Sequence, residues 1–259
     1  MHESVPLSSE FGVELRGLDP RLIPLEYASL FRQVFLSARI VLLRGCELTE
    51  DDNVRLTETL GLASSNLKSK KKFSYVSNVL DEGMLGDGEL PLHSDFMFTE
   101  RPLKAISLYA MGVPAHGGET VFADVTLAYR RLPEALKMRI AGLQARHVAN
   151  YGASRPKFDS TARETLFAIH PLVWHNPETR QPVLFASRLM TESIIGLNAG
   201  QSEALLQELF AYIEDPKYQY VHKWRVGDYL VWDNRCLQHS RRDFAPTEGR
   251  TLRRVPISG

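Results

Sequence analysis

The sequence predicts a mainly β fold with helical decoration, of the barrel or jelly-roll kind. Two observations predict it. Short apolar segments bounded by turn formers crowd the middle and the C-terminal half, and the few amphipathic helical spacings stand apart from them. At 259 residues, a β barrel is commonly one domain, so residues 1–259 are taken as a single domain.

In chain order, "GVELRG" reads as a short strand. From Leu25 to Ala38, the residues Tyr27, Leu30, Phe31, Val34, Phe35 and Ala38 recur at three- and four-residue steps, which makes a helix with one apolar face. "RIVLLRG" is a buried strand. Thr49 opens a second helix with Glu50, Asp51 and Asp52 in its first turn, where acids suit the helix dipole, and Gly61 ends it. Residues 64–88 mix turn formers with Lys68, Lys70, Lys71 and Lys72 and carry one strand, Phe73 to Val76; they form a candidate lid loop. "AISLYAMG" and "ETVFADV" are strands. Asp124 caps a helix through Leu132, and Pro133 starts another turn. Residues 149–165 are polar and irregular, a second candidate lid. "PLVWHNPETRQPVLFAS" reads as a hairpin around "NPETRQP". Ser202 to Ile213 is a helix with Leu205, Leu206, Leu209, Phe210 and Ile213 on one face. Last, "YQYVHKW", the turn "RVGD" and "YLVWDN" read as a hairpin with Trp224 and Trp232 in its core.

Lys plus Arg equals Asp plus Glu at 31 each, so no overall field points to nucleic acid or to an anionic membrane surface. Two cysteines, Cys46 and Cys236, are too few for a disulfide framework and read as reduced thiols of a cytoplasmic protein. "MHESVPLSSEFGVEL" has neither the basic start nor the apolar stretch of a signal peptide, and no run approaches the roughly 18 apolar residues of a membrane span.

Chemistry concentrates in "PLHSDFMF". In an extended segment His93 and Asp95 project to one face and can grip one ion. An H-x-D pair alone is weak, and a third ligand changes its weight. "LVWDNRCLQHSRRDF" carries an apolar strand whose end delivers His239 to a barrel mouth. Two imidazoles and one carboxylate on one face of an ion, with the other face open, form the facial triad of non-haem Fe(II) oxygenases. His116, His147, His170, His175 and His222 are rivals, none with an acid two residues on. Arg250, eleven positions after His239, and Thr120 in "GGETVF" offer a guanidinium and a hydroxyl for an acidic cosubstrate. Arg254 adds a second positive group on the same alternating face as Arg250.

H-S-D, then G-G-E-T, then W-D-N-R-x-x-x-H, then an arginine eleven residues on, resembles the taurine dioxygenase and 2,4-dichlorophenoxyacetate dioxygenase (TauD/TfdA) family, from about Gly12 to the C-terminus. The resemblance implies a double-stranded β-helix, a cupin-like jelly roll. It implies His93, Asp95 and His239 as ligands of Fe(II), Thr120 and Arg250 on the distal carboxylate of 2-oxoglutarate, and Arg254 near cosubstrate and substrate. It also implies dioxygen as second cosubstrate and release of succinate and carbon dioxide as an aliphatic C–H is hydroxylated, with bond cleavage where that carbon bears a heteroatom. Two-fold or higher assembly is common in the family, although no surface stripe here encodes it.

Two other readings of the triad stand beside this one: a metal- and 2-oxoglutarate-binding sensor without turnover, and a zinc hydrolase with one activated water. A hydrolase has no use for a carboxylate clamp beside its metal. The expected substrate is a small, anionic organic molecule, with Asn66, Lys68, Tyr75, Phe96, Ser187 and Arg254 as candidate pocket residues. Glu89, ahead of the metal motif, reads as a solvated loop acid.

Overall fold

Local side-chain chemistry punctuates the helices in this computed structural model, which describes residues 2–65, 70–84, 88–149 and 166–259. Helix α1 (Ala28–Ala38) follows a π turn at Ile23–Tyr27 and stops where Arg39 turns left-handed at φ 65°. Helix α2 (Glu50–Glu58) starts on a capping box: Thr49 Oγ1 accepts the Asp52 N–H at 3.1 Å, and Asp52 Oδ2 accepts the Thr49 N–H at 3.2 Å. Asp124 caps α3 (Val125–Arg131), as its spacing predicts, and α4 (Glu134–Ile140) follows Pro133. Helix α5 (Ala199–Ile213) begins ahead of the expected Ser202, because Asn198 and Gln201 form a second capping box upstream of the apolar face.

The strands are β1 (Glu3–Pro6), β2 (Val13–Arg16), β3 (Ile40–Leu43), β4 (Ser74–Ser77), β5 (Gly83–Met84), β6 (Leu90–His93), β7 (Ala105–Gly112), β8 (Thr120–Asp124) and β9 (Gln144–Val148). They continue with β10 (Phe167–Pro171), β11 (Val173–His175), β12 (Pro182–Leu184), β13 (Thr191–Ile194), β14 (Gln219–His222), β15 (Tyr229–Asp233), β16 (Leu237–Arg241) and β17 (Thr251–Ile257). A large sheet runs β1-β2-β3-β15-β7-β17-β4-β5 and a smaller one β14-β8-β16-β6. They face each other, as the two halves of a jelly roll do.

Period-two alternation assigns the layers. Along β3 and β15, Val41, Leu43, Tyr229 and Val231 face outward and join a cluster with Phe31 and Phe35 of α1 and Leu56 of α2. Ile40, Leu42, Leu230 and Trp232 face inward and pack with Phe122 and Leu237 of the small sheet. Phe31 and Phe35 are buried, each contributing about 1.5–3 kcal/mol, which fastens α1 over the large sheet. A third cluster joins α3, α4 and α5 to β9, β12 and β13.

The expected hairpin of "PLVWHNPETRQPVLFAS" is present as β11 and β12, with Asn176 Oδ1 accepting the N–H groups of Glu178 and Thr179 in its turn. The expected hairpin of "YQYVHKW" and "YLVWDN" is not. β14 pairs with β8 in the small sheet, whereas β15 pairs with β3 and β7 in the large one. The chain changes layer at Trp224–Gly227, and both strands find longer-range partners. Within residues 64–88 the expected strand is present as β4, which pairs with β17, and β5 pairs with β4. Residues 66–69 and 85–87 of that stretch, and 150–165 of the second candidate lid, lie outside the described residues. Among the described residues no helix is long and apolar enough to cross a membrane.

Candidate active site

His93 ends β6 and His239 lies directly opposite on β16, so pairing of neighbouring strands puts their side chains together. Their rings are 4.4 Å apart, and Asp95, two residues beyond β6, aims Oδ1 at both: 3.2 Å from His93 Nε2 and 3.8 Å from His239 Nε2. The three donor atoms lie within 4.8 Å of one another, the one group of three or more His, Cys, Asp or Glu among the described residues close enough to share an ion.

Each donor atom is prepared by a neighbour. His93 Nδ1 meets the Pro91 carbonyl at 2.7 Å; a carbonyl only accepts, so Nδ1 carries a proton and Nε2 is the ring nitrogen turned toward Asp95. Burial, aided by nearby His93, pushes the His239 pKa down to about 3, leaving a neutral imidazole. Burial alone would raise the Asp95 carboxyl, but Arg254 and the two imidazoles hold it well below the usual carboxylate range. Arg254 Nη2 donates to Asp95 Oδ2 at 2.6 Å, which turns Oδ1 toward the histidines. Asn234 Oδ1 accepts the Asp95 N–H at 2.8 Å and its Nδ2 donates to the Asp95 carbonyl at 2.9 Å. Phe96 then turns left-handed at φ 61°, a strained conformation for a bulky residue, immediately beyond the triad. An imidazole held by the Pro91 carbonyl, a buried neutral imidazole at His239 and an ionised carboxylate held by Arg254 and Asn234 fit an Fe(II) ion.

From the triad a narrow cleft runs between the sheets, lined by Thr120 and Arg241 of the small sheet and by Val76, Leu108, Trp232 and Arg254 of the large one, with Arg250 just ahead of β17. Arg250 is buried and its Nε donates to the Gly118 carbonyl at 3.2 Å. Burial, with Arg241 alongside, pushes its guanidinium pKa down to about 9, so it remains charged at neutral pH. Gly118 sits at φ 68°, and a Cβ there would lie 3.3 Å from the Arg250 side chain, so glycine keeps that guanidinium in place.

A second, larger chamber of ≈ 1060 Å³ opens on the other side, with Phe73, Met84, Phe96, Phe98, Leu189 and Met190 in its wall. His93, Asp95, Leu90 and Arg254 border both spaces, so the triad is where cleft and chamber meet. Of the candidate pocket residues, Phe96 and Arg254 line the chamber. Tyr75 does not: Ser74 and Val76 take the inward face of β4, and Tyr75 points the other way, donating its OH to Glu50 Oε1 at 2.7 Å. Ser187 is fully buried with its Oγ donating to the Leu92 carbonyl at 3.0 Å, which supports β6 from behind. Asn66 and Lys68 lie outside the described residues. Glu89 is exposed, as expected of a loop acid. Of the rival histidines, His170 Nε2 meets the Thr99 carbonyl, His147 Nδ1 meets Thr191, and His222 contacts Tyr220 and Asp228.

Sequence reasoning passed over Asn234, although it stands inside the W-D-N-R run, and Arg241, two residues after His239 on the same strand face. It also placed Trp224 in a hairpin core, whereas its Nε1–H donates to Thr120 Oγ1 at 2.9 Å.

Known proteins resemble this chain along most of its length. Pentalenolactone F synthase of Streptomyces avermitilis is 31% identical over 218 residues, 75% of this chain and 71% of that protein. The (S)-phenoxypropionate/alpha-ketoglutarate-dioxygenase of Sphingobium herbicidovorans is 29% identical over 272 residues, covering 98% and 94%. A crystal structure of AAD-2 in complex with Mn(II) and N-oxalylglycine superposes with a TM-score of 0.84 at 26% identity, covering all of this chain and 98% of that one. The model of the family described as taurine catabolism dioxygenase TauD, TfdA matches residues 3–255. The chain thus belongs to the TauD/TfdA family, with its jelly-roll fold, and is an oxidoreductase acting on a small organic molecule with Fe(II), 2-oxoglutarate and dioxygen.

Proposed function

We propose that the chain hydroxylates an aliphatic C–H of an anionic organic substrate at an iron held by His93, Asp95 and His239. The observation that carries this reading is the convergence of three donor atoms at the junction of two spaces of different character. When bound, the iron supplies oxidative decarboxylation of 2-oxoglutarate to succinate and carbon dioxide, coupled to insertion of one oxygen atom into the substrate.

The residues do the rest. In the narrow cleft, Thr120 and Arg250 hold the distal carboxylate of 2-oxoglutarate, the guanidinium as a forked donor and the hydroxyl as a single one. The length of the cleft sets the 2-oxo end beside the triad. In the chamber, Arg254 binds the acidic group of the substrate: its bond to Asp95 uses one of five N–H groups, leaving donors for an anion. Phe96, Phe98, Leu189 and Met190 cover an apolar body and exclude water from the reacting C–H.

The test adds Fe(II) and 2-oxoglutarate without oxygen and looks for the visible charge-transfer band of a chelated 2-oxo acid. Air is then admitted and succinate measured over a panel of carboxylates, sulfonates and sulfate esters, with product mass to locate the oxygen. His93→Ala loses both band and succinate. A panel of cationic and neutral compounds turned over as readily as the anions would overturn the substrate reading and leave the iron assignment intact.

A further inference from the structure

Thr120 reaches the cleft with its hydroxyl already half committed. A threonine Oγ has one proton to give and two lone pairs to receive with. Indole Nε1–H only donates, so at 2.9 Å Trp224 occupies a lone pair of Thr120 Oγ1 and cannot take its proton. Among the described residues that is the bond the Thr120 side chain makes, and Thr120 lines the cleft beside Arg250.

Trp224 is itself held. Its half-buried ring meets the edge of His222 at 4.4 Å and an interplanar angle of 84°. His222 lies across the β8–β14 ladder from Thr120 and is fully buried. Its Nε2 stands 3.2 Å from Asp228 Oδ2, its Nδ1 is 2.9 Å from the Tyr220 hydroxyl, and Asp228 in turn binds Arg44 at 2.7 Å. The layer change at Trp224–Gly227 is thus braced on one side by this network and joined on the other to the cleft.

We infer that Trp224 is a positioning residue for the cosubstrate: its indole N–H fixes Thr120 as a donor aimed at the distal carboxylate of 2-oxoglutarate. This rests on the proposed role of Thr120. Without Trp224 the hydroxyl rotates, and its proton is no longer committed to the anion. The penalty falls on 2-oxo acids that carry a distal carboxylate.

The test compares Trp224→Phe, Thr120→Val and the double variant with Fe(II) under nitrogen. The charge-transfer band is titrated with 2-oxoglutarate and with 2-oxobutyrate, which has no distal carboxylate. Trp224→Phe weakens 2-oxoglutarate about three- to tenfold, leaves 2-oxobutyrate within about twofold, and adds nothing in the Thr120→Val background. In turnover the change is concentrated in KM for 2-oxoglutarate rather than kcat. Equal losses for both acids, or an additive double variant, would overturn the inference. So would a Thr120→Val effect on 2-oxoglutarate with none from Trp224→Phe, which leaves the proposed role of Thr120 standing. No effect of Thr120→Val would remove that role and the inference together. A measurement on the unaltered protein guards against misfolding: with Zn(II) bound, the Trp224 indole ¹⁵N–¹H signal shifts on adding 2-oxoglutarate and not on adding 2-oxobutyrate. A signal unmoved by either overturns the inference.

Discussion

Asn234 grips the backbone of Asp95 at both ends, accepting its N–H at 2.8 Å and donating to its carbonyl at 2.9 Å. The same amide also donates to the Leu103 carbonyl at 3.0 Å, so a buried side chain ties the carboxylate ligand to the strand entry of β7. Asn234→Ala leaves all three backbone groups without this partner. Fe(II) affinity is expected to fall about 10- to 100-fold, as for other residues that orient metal ligands. An anaerobic Fe(II) titration measures it; affinity equal to the unaltered protein would mean that the turn at Phe96 holds Asp95 alone.

Arg254 borders both cleft and chamber while bound to Asp95 Oδ2. Arg254→Gln removes a charged donor from the proposed substrate anion, worth about 1.5–3 kcal/mol, so KM for an anionic substrate rises about 10- to 100-fold. KM for 2-oxoglutarate changes less, because Arg250 stays. Steady-state kinetics with each cosubstrate varied in turn distinguishes the two, and a loss confined to 2-oxoglutarate would reassign Arg254 to the cosubstrate.

Asp124 has two tasks at the start of α3. Oδ1 accepts the Thr126 and Leu127 N–H groups at 2.8 and 3.0 Å, and Oδ2 lies 3.0 Å from Arg39 Nη1. Asp124→Ala loses a cap worth about 1 kcal/mol and leaves a mostly buried guanidinium without its carboxylate, with only the Thr126 hydroxyl at 2.7 Å beside it among the described residues, for a total of about 3 kcal/mol. Asp124→Asn keeps the cap and costs less. Urea denaturation of the pair orders them, and equal losses would show that the charge of Asp124 contributes nothing.

His147 is buried against His170, Phe185 and Thr191, and burial, with His170 nearby, pushes its pKa down to about 3. In the unfolded chain an imidazole titrates near 6.5, so as pH falls below about 6.5 the unfolded state takes a proton that the folded state refuses. Stability present at neutral pH is therefore lost on acidification, at up to about 1.4 kcal/mol per pH unit from this residue, until pH reaches the folded-state value. His147→Leu should flatten the acid limb of stability against pH relative to the unaltered protein. Parallel limbs in urea titrations from about pH 7 to about pH 4.5 would refute this.

Much of the site was legible because its signals are local or rest on chain order. His93 and Asp95 stand two apart, and the motif order through His239 to Arg250 carries the family resemblance. Helix ends were legible for the same reason, since a cap is a bond between residues two or three apart, as at Thr49 and Asp124. Tyr75 was misplaced because alternation divides a strand into two faces without saying which looks into the cavity. For β4 that is decided by β17, more than 170 residues away in the chain: Thr251 opposes Ser77.

By itself the sequence determined the class of fold, the helix boundaries to within a turn and the three residues proposed as ligands. Only the tertiary structure decided that β14 and β15 part into different sheets, that Asn234 holds the backbone of Asp95 and Arg254 its carboxylate, and that Trp224 reaches Thr120. The physical reason is range. Residue type and short spacing dictate what a side chain can do, whereas its partner is selected by strand pairings between segments tens to hundreds of residues apart, settled by burial of the whole core.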